Sequence, residues 1–380
     1  MTLTTPTENP MPSLFDPVTV GDMRLANRIA MAPLTRNRSP GAVPGPLTAA
    51  YYAQRATAGL LITEATAITH QAQGYSDVPG LYAADQLDAW KKVTRDVHTA
   101  GGKIVVQLWH VGRVSHTDLQ PDNGKPVAPS AMTAKTKTVL IRDGKPVFVE
   151  TSEPRALASE ELPGIVHSYQ TAARHAVDTA GFDGVEIHAA NGYLLDQFLK
   201  TGSNHRTDDY GGSVENRIRL TLEVTRAVTA AVGGGRTGIR LSPVTTANDA
   251  FDANPQPLFD ALVRELAPLN LAYIHIIEGA TGGPRELPDR PFDYAALKAA
   301  YRSAGGKGAW MVNNGYTQAL ADNAVKEGDD LVAFGRPYIA NPDLVARLKQ
   351  GAPLNEGNQK TWYGGGAVGY TDYPMMNSSL

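Results

Sequence analysis

Apolar and polar positions alternate along this chain in a repeating unit: a short apolar run, then a longer stretch of helical spacing. The runs predicted as strands are Arg28–Ala32, Leu60–Glu64, Lys103–Leu108, Gly184–His188, Gly238–Leu241, Ala272–Ile277, Trp310–Asn313 and Leu331–Phe334. Each is separated from the next by room for a helix, as parallel strands joined by crossovers require. The clearest helix lies between the third and fourth runs, with Leu162, Ile165, Val166, Tyr169, Ala173, Ala176 and Val177 on one face. Ser159 is its expected N-cap, and Gly181 stands just past its end. Further helices are expected over Asp85–Ala100, Val214–Ala231, Pro257–Ala267, Tyr294–Ser303 and Pro342–Lys349. Eight such units predict an α/β protein, a single (β/α)8 TIM barrel.

Three stretches fall outside this rhythm. Residues 1–12 are polar and proline-punctuated and read as a flexible N-terminal tail, leaving 13–380 as one barrel domain. DPVTVGDMRLANR (16–28) turns about Gly21-Asp22 and predicts a small hairpin ahead of the barrel. Between the third and fourth units an insertion of about 111–158 carries KTKTVLIRDGKPVFVET, a β-hairpin signal centred on Asp143-Gly144. An excursion that long after a barrel strand is expected to lid the active-site mouth, the alternative being a surface hairpin without a role.

Composition narrows the class. The chain has 380 residues, 42% of them hydrophobic, enough for a large core. A net charge of −3 offers no basic field for nucleic acid or an anionic membrane. Without cysteine there is no disulfide, thiolate chemistry or Cys-ligated metal, and no metal site is expected. The first residues lack the basic and apolar regions of a signal peptide, and no apolar run approaches a membrane span. A soluble, cytoplasmic protein is expected, with no nucleic-acid or membrane partner.

Candidate chemistry sits where the strands end, the face at which parallel barrels deliver functional groups. The fourth run, GVEIHAANGYLLDQFL (184–199), ends in His188, Asn191 and Tyr193. All three can donate hydrogen bonds and none is a carboxylate, so the set suits an oxygen or anion; three satisfied polar groups at a strand end are the alternative. Asn314-Gly315 after the seventh run and Gly335-Arg336 after the eighth suit a phosphate held by main-chain N–H groups and a guanidinium. Thr35, Gln107 and Arg240 could surround a planar heterocycle, and with a phosphate FMN is the natural candidate. Each has a plainer reading: Gln107 and Thr35 as interior polar groups, Arg240 as a partner of Glu186. Spacing alone does not separate a flavin from a sugar phosphate.

Longer motifs add a resemblance. MAPLTRNRS (31–39), YYAQRATAGLLITEAT (51–66), VVQLWHVGR (105–113), NHRTDDYGGSVENR (204–217), IRLSP (239–243), FGRPYIANPDL (334–344) and TWYGGGAVGYTDYP (361–374), with the 184–199 stretch, resemble the Old Yellow Enzyme family of FMN-dependent ene reductases. Within it the chain is most similar to the bacterial group containing N-ethylmaleimide, pentaerythritol tetranitrate and 2-cyclohexenone reductases. The resemblance runs from about Leu14 to Pro374.

It implies that NADPH or NADH reduces FMN and that hydride then passes to the β-carbon of an activated alkene. By position, Thr35 is implied at the flavin C4 carbonyl, Gln107 at the pyrimidine edge with Pro33, Leu34 and Ala65 packing nearby, and Arg240 beside N1 and the C2 carbonyl. Asn314, Gly315, Gly335 and Arg336 are implied to hold the phosphate. His188 and Asn191 would clamp the substrate's carbonyl or nitro oxygen, Tyr193 would supply a proton, and Tyr75, Trp109 and Tyr363 would line the substrate pocket. A monomer or weak homodimer is expected. Alternatives are a nitrate-ester or nitroaromatic reductase, a flavin sensor or carrier without turnover, and a flavin-free sugar-phosphate barrel enzyme.

Overall fold

Eight strands close into one parallel barrel: β1 (Ile29–Met31), β2 (Leu60–Ala67), β3 (Ile104–Trp109), β4 (Gly184–Ala189), β5 (Thr237–Leu241), β6 (Tyr273–Ile277), β7 (Ala309–Asn313) and β8 (Leu331–Phe334). Each pairs with the next, and β8 pairs with β1 to complete the ring. The computed structural model describes residues 11–376, so most of the expected N-terminal tail lies outside the described residues. Among the described residues no helix is long and apolar enough to cross a membrane.

Alternation along the strands explains where side chains go. Val185 and Ile187 of β4 join the core between barrel and helices, while Glu186 and His188 point into the barrel. The inner end opposite the site is closed by the predicted hairpin, Val18–Val20 against Met23–Leu25. Its Val20, Met23 and Leu25 pack on Leu60, Val105, Met311 and Leu331 from inside the barrel. Burying each such side chain contributes roughly 1.5–3 kcal/mol before ordering costs. Gly21 has φ +55°, and a Cβ there would lie 2.1 Å from the Gly235 carbonyl oxygen. Only glycine fits that turn.

Two expectations require correction. The second strand does not end at Glu64. It runs to Ala67, with a register shift between Ile62 and Ala65, so Glu64, Ala65 and Thr66 are strand residues beside β3. Ser159 is not the cap of the helix that follows. Its hydroxyl donates to Asp208, and the Glu161 carboxylate accepts from the Ala158 N–H to close a short 3-10 turn before the helix Leu162–Arg174. That helix continues as a π-turn over His175–Thr179. Helices over Pro46–Ala53 and Gln318–Lys326 were not expected: PLTAAYYA has little polar contrast, whereas the Thr317 cap and the Ala321, Ala324 and Val325 stripe of the second were a signal left unread.

The insertion after β3 holds a two-stranded parallel pairing, Val127–Ala128 with Arg155–Ala156, and an antiparallel hairpin, Lys137–Arg142 with Lys145–Glu150. The hairpin is tied to the loop after β2. Ser76 N–H donates to the Val139 carbonyl, Ile141 N–H to the Ser76 hydroxyl, and the Thr138 hydroxyl to the Gly74 carbonyl. Tyr75 lies in the middle of that loop.

Candidate functional site

A buried polar layer crosses the barrel beneath the strand ends. Gln107 of β3 donates its amide to Glu186 Oε1 of β4 at 2.7 Å, and His275 Nδ1 of β6 lies 2.8 Å from Glu186 Oε2. Arg240 of β5 donates Nη2 to Asn313 Oδ1 of β7 at 2.8 Å, and Asn313 donates in turn to the Ala333 carbonyl of β8. Six strands are thereby joined by side chains. Burial favours protonating Glu186, but His275, Arg240 and Gln107 outweigh it and hold the carboxyl below its usual range. Burial lowers the Arg240 pKa to about 10, which leaves it a cation at neutral pH. Its Nε is buried without a partner. An unpaired guanidinium nitrogen at such depth calls for an acceptor.

The register sets His188 directly beside Arg240 and Glu186 beside Gln107. His188 is buried, and burial, with Arg240 and His275 nearby, pushes its pKa well down, so the ring is neutral and keeps one N–H to donate. Asn191 follows two residues past the strand with φ +59°. Tyr193 is the N-cap residue of a short helix, Leu194–Leu199. Its ring packs edge-on against both His188 (centroids 5.0 Å apart) and Trp109 (4.9 Å), and its hydroxyl lies 3.2 Å from that of Tyr75. Burial raises the Tyr193 pKa, so it holds its proton at neutral pH.

The turn carrying these groups rests on an ion pair with no exposure. Asp196 and Lys200 approach to 2.9 Å on one side of the Leu194–Leu199 helix. Asp196 also accepts from the Gly192 N–H, and Lys200 donates to the carbonyls of Ser242 and Thr245. The pair therefore links the turn after β4 to the loop after β5.

A cavity of about 730 Å³ opens above the polar layer. Pro33, Leu34 and Thr35 after β1 line one side, Arg240 and Asn313 the floor, and Asn191 another wall. Asn314, Gly315, Gly335 and Arg336 form the end nearest β7 and β8. Gly335 and Arg336 are the N-cap and first residue of the helix Arg336–Ala340, so their N–H groups have no partner within it. Asn314 differs from expectation: its side-chain amide donates away, to the carbonyls of Glu278 and Ala280, leaving only its main chain toward the cavity.

Ala65, Gln107, His188, Tyr193, Tyr75 and Trp109 do not form this cavity's surface. Ala65, Trp109, Tyr75 and Tyr193 make a satellite cluster with Val78, Val111 and Val114 next to it, in which Tyr75 stacks on Trp109 at 5.7 Å. Trp109 is fully buried there. Tyr363 stands exposed at the cavity edge with Trp362 beside it. Two buried arginines hold their segment, and a third braces the helix Arg336–Ala340 beside it. Arg36 donates to the carbonyls of Trp362 and Gly369, Arg38 to those of Thr361 and Gly366, and Arg55, from behind, to those of Tyr338 and Ile339. Arg36 and Arg38 also lie over the Tyr370 ring.

Asn313, Thr281, Trp362 and the carbonyl-binding arginines belong to the site but were not singled out from sequence. Asn313 had a signal, since it ends the seventh apolar run; the others depend on contacts between distant segments. Among the described residues no three His, Asp or Glu side chains gather as a metal site would need.

The comparisons with known proteins follow this geometry. Residues 13–355 match the model of the NADH:flavin oxidoreductase / NADH oxidase family. The chain is 44% identical to 12-oxophytodienoate reductase 7 of Oryza sativa subsp. japonica, covering 96% of this chain and 94% of that one. It is 42% identical to 12-oxophytodienoate reductase 2 of Arabidopsis thaliana, covering 96% of each. Its fold superposes on morphinone reductase with a TM-score of 0.91 at 45% identity, over 98% of both chains. On the Old Yellow Enzyme homologue of Zymomonas mobilis the TM-score is 0.90 at 42% identity, over 96% of this chain and 99% of the other. Family model, full-length relatives and barrel agree that the chain belongs to the Old Yellow Enzyme family of NADH:flavin oxidoreductases.

Proposed function

We propose that this protein is an FMN-dependent ene reductase acting on small activated alkenes such as enones, enals, maleimides and nitroalkenes. The observation that carries the reading is the register pair His188–Arg240, which puts a neutral donor group beside the cation at the cavity floor. The residues present fit FMN. Arg240 Nε is a buried donor without an acceptor, suited to the electron-rich edge of an isoalloxazine. Main-chain N–H groups of Gly315, Gly335 and Arg336, with the exposed Arg336 guanidinium, suit its phosphate. Thr35 offers a hydroxyl on one side and Pro33 and Leu34 offer apolar surface; Gln107, in the polar layer with its amide N–H given to Glu186, would meet the pyrimidine edge from below.

FMN supplies a carrier that takes hydride from NADPH or NADH and yields it to carbon. The chain's own groups do the rest. His188 and Asn191 donate to the carbonyl or nitro oxygen, on which negative charge grows as the β-carbon is reduced. Donors aimed at that oxygen stabilise the transition state more than the ground state. Tyr193 Oη, protonated at neutral pH, gives its proton to the α-carbon. Tyr75, Trp109 and Tyr363 frame the alkene, and the 137–150 hairpin, tied to the Tyr75 loop, lids that side. The test is an anaerobic titration of the purified holoprotein with NADPH and then with 2-cyclohexenone. Flavin absorbance should bleach and recover in full; a protein that purifies and reconstitutes without a flavin band would end the proposal.

A further inference from the structure

We infer that Thr281 is a positioning residue that decides which end of the Asn191 amide faces the cavity; this rests on the oxygen-clamp reading above and deepens it. An asparagine amide is nearly symmetric in shape but opposite in chemistry at its two ends, one accepting and the other donating. Turned with its oxygen inward, Asn191 would repel the substrate oxygen it is meant to hold.

The main chain of Asn191 is fixed from two sides. Its N–H donates to the Ser242 hydroxyl at 2.8 Å, and its carbonyl accepts from Asn248 Nδ2 at 2.9 Å. These contacts aim the side chain but leave its final torsion undetermined. The Thr281 hydroxyl supplies the missing constraint by donating to Asn191 Oδ1 at 2.6 Å. With the acceptor end engaged, the NH2 end is what Asn191 presents; both residues line the cavity.

Thr281 is itself placed by a held loop. Its N–H donates to the Thr245 hydroxyl at 3.2 Å, and the neighbouring carbonyls of Glu278 and Ala280 are held by Asn314. Gly279 N–H donates to the Tyr294 hydroxyl, and Gly279 has φ +67° with Arg285 O 2.3 Å from where a Cβ would stand. Asn314, expected at a phosphate, thus orders the loop that orients the clamp.

The test is a double-mutant cycle on the FMN-loaded enzyme: Thr281→Val, Thr281→Ser, Asn191→Ala and Thr281→Val with Asn191→Ala. The readouts are the Kd of 4-hydroxybenzaldehyde, from flavin absorbance, and kcat/KM for 2-cyclohexenone. Thr281→Val should weaken both by roughly three- to tenfold, the size of one neutral hydrogen bond. Thr281→Ser, which keeps the hydroxyl, should stay within about twofold of wild type, and Thr281→Val should do nothing more once Asn191 is alanine. An additive loss in the double variant, or a serine as weak as the valine, would overturn the inference while leaving the clamp intact. An unchanged Kd for Asn191→Ala would overturn the clamp itself, and this inference with it.

Discussion

The hydroxyls of Tyr75 and Tyr193 lie 3.2 Å apart, joining a loop after the second barrel strand to the turn after the fourth. Burial raises both pKa values, so neither phenol is ionised at neutral pH and one must donate to the other. If Tyr193 is the proton donor proposed above, Tyr75 is placed to stabilise the oxygen left behind.

Tyr193→Phe should split the two half-reactions. Reduction of the bound flavin by NADPH needs no proton from this residue and should keep its rate. Reoxidation by 2-cyclohexenone should slow by roughly 10²–10⁴, the usual effect of losing a positioned acid. Nitroalkenes should suffer less, because their nitronate product can leave and be protonated in water. Stopped-flow traces decide it: equal slowing of both halves, or of neither, rejects the proton-donor role.

Replacing His188 and Asn191 together by alanine should weaken phenolate binding and slow enone reduction in parallel. One oxyanion donor commonly accounts for ~10²–10³ in rate. A double variant that binds 4-hydroxybenzaldehyde as tightly as wild type would show that the clamp lies elsewhere.

Arg336→Ala should purify with less FMN. A lost charge-assisted contact to phosphate removes ~1.5–3 kcal/mol, or more than tenfold in Kd. Fluorescence titration of refolded apoprotein with FMN measures this, and equal affinities would remove Arg336 from the phosphate site.

Asp196→Asn should destabilise the fold, because it leaves Lys200 charged, buried and without its carboxylate. Breaking a buried pair in this way typically costs ~3–5 kcal/mol. Urea denaturation should show it as a lower midpoint with an unchanged slope. A midpoint within experimental error of wild type would mean that the Ser242 and Thr245 carbonyls suffice for Lys200.

Glu64 predicts a pH dependence of stability. It is fully buried, and burial raises its pKa to about 7 despite the Arg36 N–H it accepts from. A folded pKa above the ordinary carboxylate value of about 4.3 gives stability that is full below that value. It is lost as pH rises through about 7. Glu64→Gln should be less sensitive than wild type between pH 5 and 8, by about 3 kcal/mol. Parallel urea midpoints for the two proteins across that range would contradict the assignment.

The barrel was legible because its strands are dense apolar runs and its helices keep one stripe; every predicted strand exists, most shifted by a single residue. The strand ends were legible too, as polar residues that a buried run would not otherwise carry. What stayed hidden depends on partners far along the chain. Nothing local says that Arg240 donates to Asn313 rather than to Glu186, since only barrel register brings those strands together. Nothing near Asn314 in sequence says that its side chain is taken by the 278–283 loop, which leaves only its main chain for a phosphate. Ser159 reads as a cap until Asp208 arrives from another segment.

The arginine clamp on the 361–370 segment bears on the order in which the molecule comes apart. Arg36 and Arg38 reach carbonyls 323 to 333 positions away, so this wall of the cavity is among the least local parts of the fold. Its main-chain groups are tied to the barrel chiefly through two side chains, with Tyr363 exposed at the rim. Such a segment can open without unpairing a single barrel strand. Release of the cofactor should then precede loss of helical ellipticity as denaturant rises, and flavin fluorescence would report the peeling of the rim rather than the melting of the barrel.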